Sequence, residues 1–191
     1  MNKRYKIIAL TGPAGSGKDT VLQAFFNWTE NKQFHKIIRS TTRPRREKEH
    51  NGENYWFYTK EQYEALLKDN YMLENNVFND WYYGINYEDL DINKINIGEF
   101  NPHSLMDIYN LPNIDLTIIY LQVSDKERLI RQLSREENPN IDEIIRRYHA
   151  DKKDFKLLSQ NIEYLTAKNE TPHQVRDLIE FIETEYWDSI D

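Results

Sequence analysis

The sequence has 191 residues, which fits one domain and is long enough to bury most of its apolar surface. Its formal net charge of −7 offers no general attraction for a nucleic-acid backbone, and its lack of cysteine excludes disulfides and thiolate metal sites. No apolar run approaches the roughly 18–20 residues of a membrane helix. We therefore expect a cytoplasmic protein with neither nucleic acid nor a membrane as partner, and the oligomeric state is left open.

Alternating strand and helix patterns run along most of the chain. Five apolar runs bounded by turn or cap residues predict strands, at Tyr5–Leu10, His35–Arg39, Lys94–Ile97, Leu116–Val123 and Ile162–Thr166. Capping-box pairs mark four helix starts, at Thr59/Gln62, Ser124/Glu127, Asn140/Glu143 and Thr171/Gln174. The alternation predicts an α/β fold with a parallel central sheet flanked by helices. The first apolar run is also too short for a signal peptide.

A glycine-rich loop follows the first predicted strand. It reads Gly12-Pro13-Ala14-Gly15-Ser16-Gly17-Lys18 and matches the phosphate-loop pattern G-x-x-x-x-G-K, placed between a strand and a helix. The glycines allow backbone amides to turn toward phosphates, and Lys18 supplies a charge to the β- and γ-phosphates. We predict an ATP site here with Lys18 as a catalytic residue. The alternative, a glycine-rich turn with a surface lysine, does not account for the strand, the spacing and the helix together.

The position after Lys18 departs from the pattern. Asp19 stands where Ser or Thr would offer a hydroxyl to Mg²⁺, and Thr20 follows it. Mg²⁺ favours oxygen ligands and keeps several waters, so Thr20 could supply the hydroxyl or Asp19 could contact the metal directly or through water. Both remain open, and we expect ATP and Mg²⁺ to be used together.

Residues 40–87 do not fit the strand–helix alternation and predict an inserted acceptor-binding subdomain. They begin with the densest basic patch of the chain, Ser40-Thr41-Thr42-Arg43-Pro44-Arg45-Arg46, and continue to Tyr55. Arginine forks bind phosphate oxygens in pairs, so this patch with tyrosine hydroxyls would hold a monophosphate. Taken alone, the same charge run would fit a solvated face equally well.

Here the sequence resembles the guanylate kinase family, in which a stretch like S-T-T-R-x-P-R-x-G-E-x-x-G-x-x-Y-x-F occurs. The resemblance continues through Phe57, Leu73-Glu74, Phe78 and Tyr82-Tyr83-Gly84, and with the phosphate loop it covers most of the first half of the chain. It implies a P-loop kinase that transfers the γ-phosphate of ATP to a nucleoside monophosphate, with GMP or dGMP as the best candidate acceptor.

The resemblance also implies roles for individual residues. Arg43, Arg46, Tyr55 and Tyr83 would hold the acceptor's phosphate, and Glu74 would pair with the N1 and N2 hydrogens of guanine. The remaining acceptor-site candidates are Ser40 and Glu49 in the same stretch and Glu99 near a later strand end.

Three departures from the family concern the base. Arg39 and Ile85 stand where the family commonly has hydroxyl residues, and 96–102 replaces an acidic D-x-D-like strand end. Glu74 nevertheless accepts two hydrogens that adenine and pyrimidines do not present together, and an arginine is a natural donor to guanine O6 and N7. We hypothesise that Glu74 and Arg39 read guanine from two edges. In the alternative, Arg39 points to solvent from a strand end.

A charged, proline-containing segment at 134–141 predicts a mobile lid between two helices, with the core formed by 1–39, 88–133 and 142–191. On the following helix, Arg147 borders the apolar stripe and is predicted to face the cleft, whereas Arg146 lies nearly opposite it and is predicted to be solvated. The family resemblance implies that Arg135 and Arg147 contact the phosphates. With Lys18 and Arg43, these are the catalytic candidates.

Asn169 follows the last predicted strand and matches a family asparagine near the adenine ring, although an asparagine in a turn also has a purely local explanation. Three other functions stay open. They are a broader deoxynucleoside monophosphate or phosphosugar kinase, a non-catalytic module that binds a phosphorylated protein, and a switch that hydrolyses ATP alone.

Overall fold

The computed structural model describes residues 3–135 and 137–186. Residues 1–2 and 187–191 of the predicted core and Glu136 of the predicted lid lie outside the described residues. In chain order the strands are β1 (Tyr5–Thr11), β2 (Phe34–Lys36), β3 (Ser40–Thr41), β4 (Trp56–Phe57), β5 (Met72–Phe78), β6 (Trp81–Asn86), β7 (Ile95–Glu99), β8 (Ile114–Gln122) and β9 (Leu165–Lys168). The helices are α1 (Lys18–Trp28), α2 (Lys60–Lys68), α3 (Pro102–Ile108), α4 (Asp125–Leu133), α5 (Ile141–Asn161) and α6 (Pro172–Tyr186).

The central sheet is parallel and has five strands in the order β2-β7-β1-β8-β9. The predicted α/β class is therefore confirmed. Along β1, Ile7 and Ala9 pack on one face of the sheet while Ile8 and Leu10 pack on the other, as the alternation of a strand requires. Helices α3 and α5 cover the first face, and α1 and α6 cover the second. Burial on both faces explains why this strand is continuously apolar.

Two strands begin and end at other residues than predicted. The second strand is Phe34–Lys36 and not His35–Arg39, because the chain turns out of the central sheet before Arg39. The last strand is Leu165–Lys168 and not Ile162–Thr166. Ile162 instead ends α5, where its amide donates to the carbonyl of Leu158 at 3.0 Å. Its side chain is buried beneath the sheet, so its apolar character reflects helix packing rather than a strand.

A second sheet of four strands, in the order β4-β3-β6-β5, is formed entirely between Ser40 and Asn86. Its strands β5 and β6 are antiparallel and joined by a tight hairpin turn. Asn79 and Asp80 form that turn with φ of 50° and 63°, a left-handed conformation that asparagine and aspartate tolerate. This small sheet is distinct from the central sheet, but its Leu73 and Ile85 pack into the same core cluster as Ile7 and Ala9 of β1.

The predicted capping boxes are complete at α2 and α6. At α4 and α5 the N-cap side chain accepts the expected hydrogen bond from a backbone amide. The glutamate three residues after each N-cap, however, binds arginines of its own helix. Glu127 accepts from Arg131, and Glu143 accepts from Arg146 and Arg147. Side chains three or four residues apart share a helix face, so these ion pairs compete directly with the cap. No helix in the described part of the chain is long and apolar enough to span a bilayer.

Replacing Thr59 by alanine is expected to lower the free energy of unfolding by about 1 kcal/mol, because the Thr59 hydroxyl accepts the amide of Gln62 at 3.2 Å. Equilibrium urea denaturation measures this loss. Thr59→Ser keeps the hydroxyl and serves as the control, with an expected change close to zero. An equal loss in both variants would assign the effect to the threonine methyl group and not to the cap.

Candidate active site

The phosphate loop joins the end of β1 to the start of α1, and two of its glycines are required by its shape. Gly15 and Gly17 have φ of 80° and 86°, in the left-handed region that favours glycine. A Cβ at Gly15 would lie 2.6 Å from the carbonyl oxygen of Arg128, and one at Gly17 would lie 2.8 Å from Nδ2 of Asn169. The loop is therefore packed tightly against α4 on one side and against the turn after β9 on the other.

Asn169 holds the loop from the β9 side. Its side chain is buried and its Nδ2 donates to the carbonyl oxygen of Ser16 at 2.6 Å. The backbone carbonyl oxygen of Asn169 accepts a hydrogen bond from Nη2 of Arg131 at 3.0 Å. Asn169 thus supports the backbone of the phosphate loop, and its predicted proximity to adenine stays a prediction.

A buried ion pair that the sequence did not reveal holds the loop from the other side. Arg128, 4% exposed, donates from Nε to the carbonyl of Ala14 at 3.1 Å and from Nη2 to Asp151 at 3.0 Å. The amide of Ala14 donates to the same carboxylate oxygen of Asp151 at 2.7 Å. Arg128 lies on a largely polar helix, where an arginine is typical of a solvated face, so no sequence signal distinguished it. The contact ties α4 and α5 to the loop.

Replacing Asp151 by alanine is expected to lower the free energy of unfolding by about 1–3 kcal/mol, because the buried Arg128 guanidinium and the Ala14 amide lose a shared acceptor. Asp154→Ala is the matched control on the same helix. Among the described residues, Asp154 forms a single long contact of 3.7 Å with the exposed His103, so its loss should stay below about 0.5 kcal/mol. Thermal or urea unfolding of both variants measures the difference, and equal losses would contradict the assigned role.

Lys18 lies within a group of carboxylates at the mouth of the loop. Its Nζ donates to the carbonyl oxygen of Gly12 at 2.6 Å. Burial lowers the pKa of Lys18, while the charges of Glu99, Asp151 and Asp19 act to raise it. The ammonium group therefore lies where the loop carbonyls and these acids meet, and a phosphate would compete for it.

The carboxyl groups of Asp19 and Glu99 are close enough to interact. Burial, and after it the neighbouring Asp19 carboxyl, raises the pKa of Glu99 to about 8, and the interaction with Glu99 lowers the pKa of Asp19. The two carboxyl groups therefore titrate as a pair and not as independent acids. Of the two metal candidates, Asp19 belongs to this oxygen-rich pair, and Thr20 is exposed on the first turn of α1.

These residues fit Mg²⁺ and a phosphate chain. No cluster of three or more acidic, histidine or cysteine side chains that could hold a metal occurs within residues 3–135 and 137–186. Mg²⁺ typically needs only one or two carboxylates together with substrate phosphates and water, which Asp19 and Glu99 can complement. The buried Ser16 Oγ, which has no hydrogen-bond partner among the described groups, adds a polar atom within the loop itself.

The side chains predicted to hold the acceptor's phosphate are grouped around Arg43, and we call this group the acceptor clamp. This arginine is 8% exposed, donates from Nη2 to Glu49 at 2.7 Å, and lies 5.5 Å from the centroid of the Tyr55 ring. The Arg43 guanidinium lowers the pKa of Glu49. Tyr83 packs edge-on against Tyr55 with 6.2 Å between ring centroids. The Arg46 side chain is exposed, and its backbone amide donates to Glu49 at 2.9 Å.

Ser40 lies at the start of the same segment, on β3, with its side chain fully buried. The structure therefore brings Arg43, Glu49, Tyr55 and Tyr83 together. It places Arg46 at the exposed rim of that group.

Arg39 does not point to solvent. Its side chain is 15% exposed and its Nη2 donates to Oε1 of Glu74 at 2.5 Å. Its Nη1 donates to the carbonyl oxygen of Glu99 at 3.1 Å, so this one side chain spans from the end of β7 to β5 of the small sheet. Ile85, directly opposite Glu74 in the β5–β6 ladder, is fully buried. The alternative of a solvated Arg39 is thus wrong.

The arginines around the predicted lid take different positions. Arg135 Nη2 lies 3.6 Å from Asp19, at the mouth of the phosphate loop. Arg146 and Arg147 both donate to Glu143 of their own helix and are 54% and 49% exposed, so the predicted difference between a solvated Arg146 and a cleft-facing Arg147 is not found. The contact of Arg147 with phosphate stays a prediction. The Arg146 guanidinium also lies 5.8 Å from the Phe78 ring of the small sheet.

Known guanylate kinases are similar to this chain in sequence and in fold. Guanylate kinase of Bacillus subtilis (strain 168) is 43% identical over 84 residues, which are 44% of this chain and 41% of that protein. Guanylate kinase of Streptococcus agalactiae serotype III (strain NEM316) is 42% identical over 84 residues, again 44% of this chain and 40% of the relative. The chain thus spans about two fifths of the length of these curated relatives.

The fold has a solved counterpart in the crystal structure of guanylate kinase from Anaplasma phagocytophilum, with a TM-score of 0.69 at 15% identity, covering 100% of this chain and 88% of that chain. At this identity the likeness establishes the fold alone. A family model described as "Guanylate kinase" matches residues 4–185. Because that match extends over nearly the whole sequence, the chain belongs to the guanylate kinase family.

Proposed function

We propose that this protein transfers the γ-phosphate of ATP to a nucleoside monophosphate, with GMP or dGMP as the acceptor. The observation that carries the proposal is the position of Arg39, which lies between the phosphate loop and the group of side chains around Arg43. Arg39 contacts Glu99, beside the phosphate loop, and Glu74, in the sheet that carries the Arg43 clamp. A donor triphosphate and an acceptor monophosphate would therefore meet across Arg39.

In this proposal the loop amides and Lys18 bind the phosphates of ATP, and the positive end of α1 adds to the attraction. Arg43 binds the acceptor's phosphate through its guanidinium fork, with the hydroxyls of Tyr55 and Tyr83 as further donors. When bound, Mg²⁺ would supply positive charge that offsets the negative charge of the phosphates. Asp19 and Glu99 are the residues that would hold it, with Thr20 as a further candidate.

The segment 134–141 would act as a lid that carries Arg135 toward the transferring phosphoryl group and excludes water. Arg135 is already within 3.6 Å of Asp19, so a small movement of this segment would bring its guanidinium over the loop. The insertion 40–87 would serve as the acceptor subdomain on a core formed by 1–39, 88–133 and 142–191. A cytoplasmic location for this reaction stays a prediction from the sequence.

An ADP-release assay with Mg²⁺-ATP and a panel of ribo- and deoxyribonucleoside monophosphates tests the proposal. We expect stimulation by GMP and dGMP. Equal rates with CMP or TMP would contradict a purine acceptor, and ADP release without any acceptor would indicate an ATP-hydrolysing switch. No ADP release with any monophosphate, combined with no binding of ATP, would favour the non-catalytic module.

A further inference from the structure

The carboxylate expected to read the base is closed off in this structure. The Glu74 side chain has 0% exposure. Its Oε1 accepts from Arg39, and its Oε2 accepts from Asn76 Nδ2 and from Ser104 Oγ, both at 2.7 Å. Asn76 Nδ2 also donates to Ser104 Oγ at 2.8 Å, which ties the two donors behind Glu74 to each other.

The Glu74 carboxylate also has little hydrogen-bond capacity left for a base. A carboxylate offers about four lone-pair positions, and the three described donors leave room for about one more. The N1–H and N2–H groups of guanine together need two. Pairing of guanine with Glu74 through both groups therefore requires one of the three existing donors to leave.

Arg39 has unused hydrogen-bond donors. A guanidinium carries about five N–H groups, and the described contacts of Arg39 use one toward Glu99 and one toward Glu74. A side chain that only donates recognises acceptor atoms. On a purine these are N7 and a C6 carbonyl oxygen, the pair to which arginine binds in a bidentate manner. The C6 amino group of adenine is a hydrogen-bond donor, so it would face the N–H donors of Arg39 without an acceptor between them.

We propose that Arg39, and not Glu74, reads the base, and that the acceptors are 6-oxopurine nucleoside monophosphates without selection for the 2-amino group. This inference rests on the proposed kinase function. Glu74 acts as a positioning residue that holds the Arg39 guanidinium in place from behind, together with the carbonyl of Glu99. GMP and IMP carry the same O6 and N7 acceptors, so both are substrates, whereas AMP is rejected.

The wild-type protein tests this directly through kcat/KM for GMP, IMP and AMP with saturating Mg²⁺-ATP. We expect GMP and IMP to agree within about threefold and AMP to be lower by about 10–100-fold, the discrimination expected of one bidentate base contact. If Glu74 read the 2-amino group, IMP would leave a polar group of the site unpaired and fall at least about 100-fold below GMP, which would overturn the inference. Activity with GMP alone would contradict the inference about Arg39 and leave the proposed kinase function intact. Activity with no monophosphate would contradict both the inference and the kinase function.

Two variants of Arg39 provide an independent test. Arg39→Ser uncovers Glu74, so the ratio of kcat/KM for GMP over IMP should rise by about tenfold or more while discrimination against AMP through O6 is lost. Arg39→Lys keeps a donor and should retain the wild-type ratio. Isothermal titration of GMP and IMP against each variant gives the same comparison without turnover, and circular dichroism verifies folding. An unchanged GMP-to-IMP ratio in Arg39→Ser contradicts the proposal.

Discussion

Replacement of Lys18 by alanine is expected to lower kcat for acceptor-dependent ADP release by about 10²–10³-fold, which corresponds to the loss of one positioned charge at the transferring group. Lys18 is the cation of the phosphate loop, and its Nζ already lies 2.6 Å from the carbonyl of Gly12 within that loop. Its removal eliminates the charge without disturbing either core face, so the unfolding curve should stay near that of the wild type. Steady-state kinetics with varied ATP and GMP measure the effect.

Lys126→Ala is the matched control for Lys18→Ala. Lys126 is exposed on the first turn of α4, and its replacement should leave kcat within about twofold because exposed charges far from a site are largely screened. A Lys18→Ala enzyme that kept more than a tenth of the wild-type kcat would show that the loop lysine does not carry the phosphoryl-transfer step.

The second large effect is expected at Arg43. Arg43→Ala should raise KM for GMP by at least about 10²-fold while KM for ATP changes by no more than about threefold, because two charge-assisted hydrogen bonds of about 1.5–3 kcal/mol each are lost. Arg43→Lys keeps the charge but loses the fork, and its effect on KM should be intermediate, about tenfold. The carboxylate of Glu49, held by Arg43 at 2.7 Å, would also lose its partner, so stability must be measured alongside.

Arg45→Ala controls for the basic patch as a whole. Arg45 is exposed two residues after Arg43, and we expect its replacement to leave both KM values within about twofold. A rise in KM for ATP and not for GMP in Arg43→Ala would place Arg43 on the donor side and contradict the assignment of the clamp to the acceptor.

Features whose signals are local in sequence were predicted well. The phosphate loop is defined by seven consecutive residues, 12–18, between a buried strand and a helix, and the structure forms it there. The N-caps at Thr59 and Asn140 also depend on neighbours within three residues. In contrast, β9 is mostly exposed, so its apolar signal is weak and the buried Ile162 drew the prediction three residues too early.

Contacts between distant residues were the hardest to predict. Arg39 and Glu74 are 35 positions apart, and each is plausible as a separate ligand contact; only the fold reveals that they bind each other. Arg128 and Asp151 are 23 positions apart on two polar helices, and the pattern of its helix does not mark Arg128 as buried. Periodicity reports which face of an element is apolar, and it carries no information about a charged group that is buried because it has a partner.

The supports of the phosphate loop have a consequence for nucleotide affinity. Arg128, Asp151 and Asn169 hold the backbone of the loop through hydrogen bonds to Ala14 and Ser16 before any ligand arrives. The conformational entropy of shaping the loop is therefore lost during folding and not during association, and a preorganised site retains more of its interaction energy as affinity. Substitutions at Arg128 and Asp151, which contact the loop and are not assigned a nucleotide contact, should consequently weaken binding chiefly by restoring freedom to the unliganded loop.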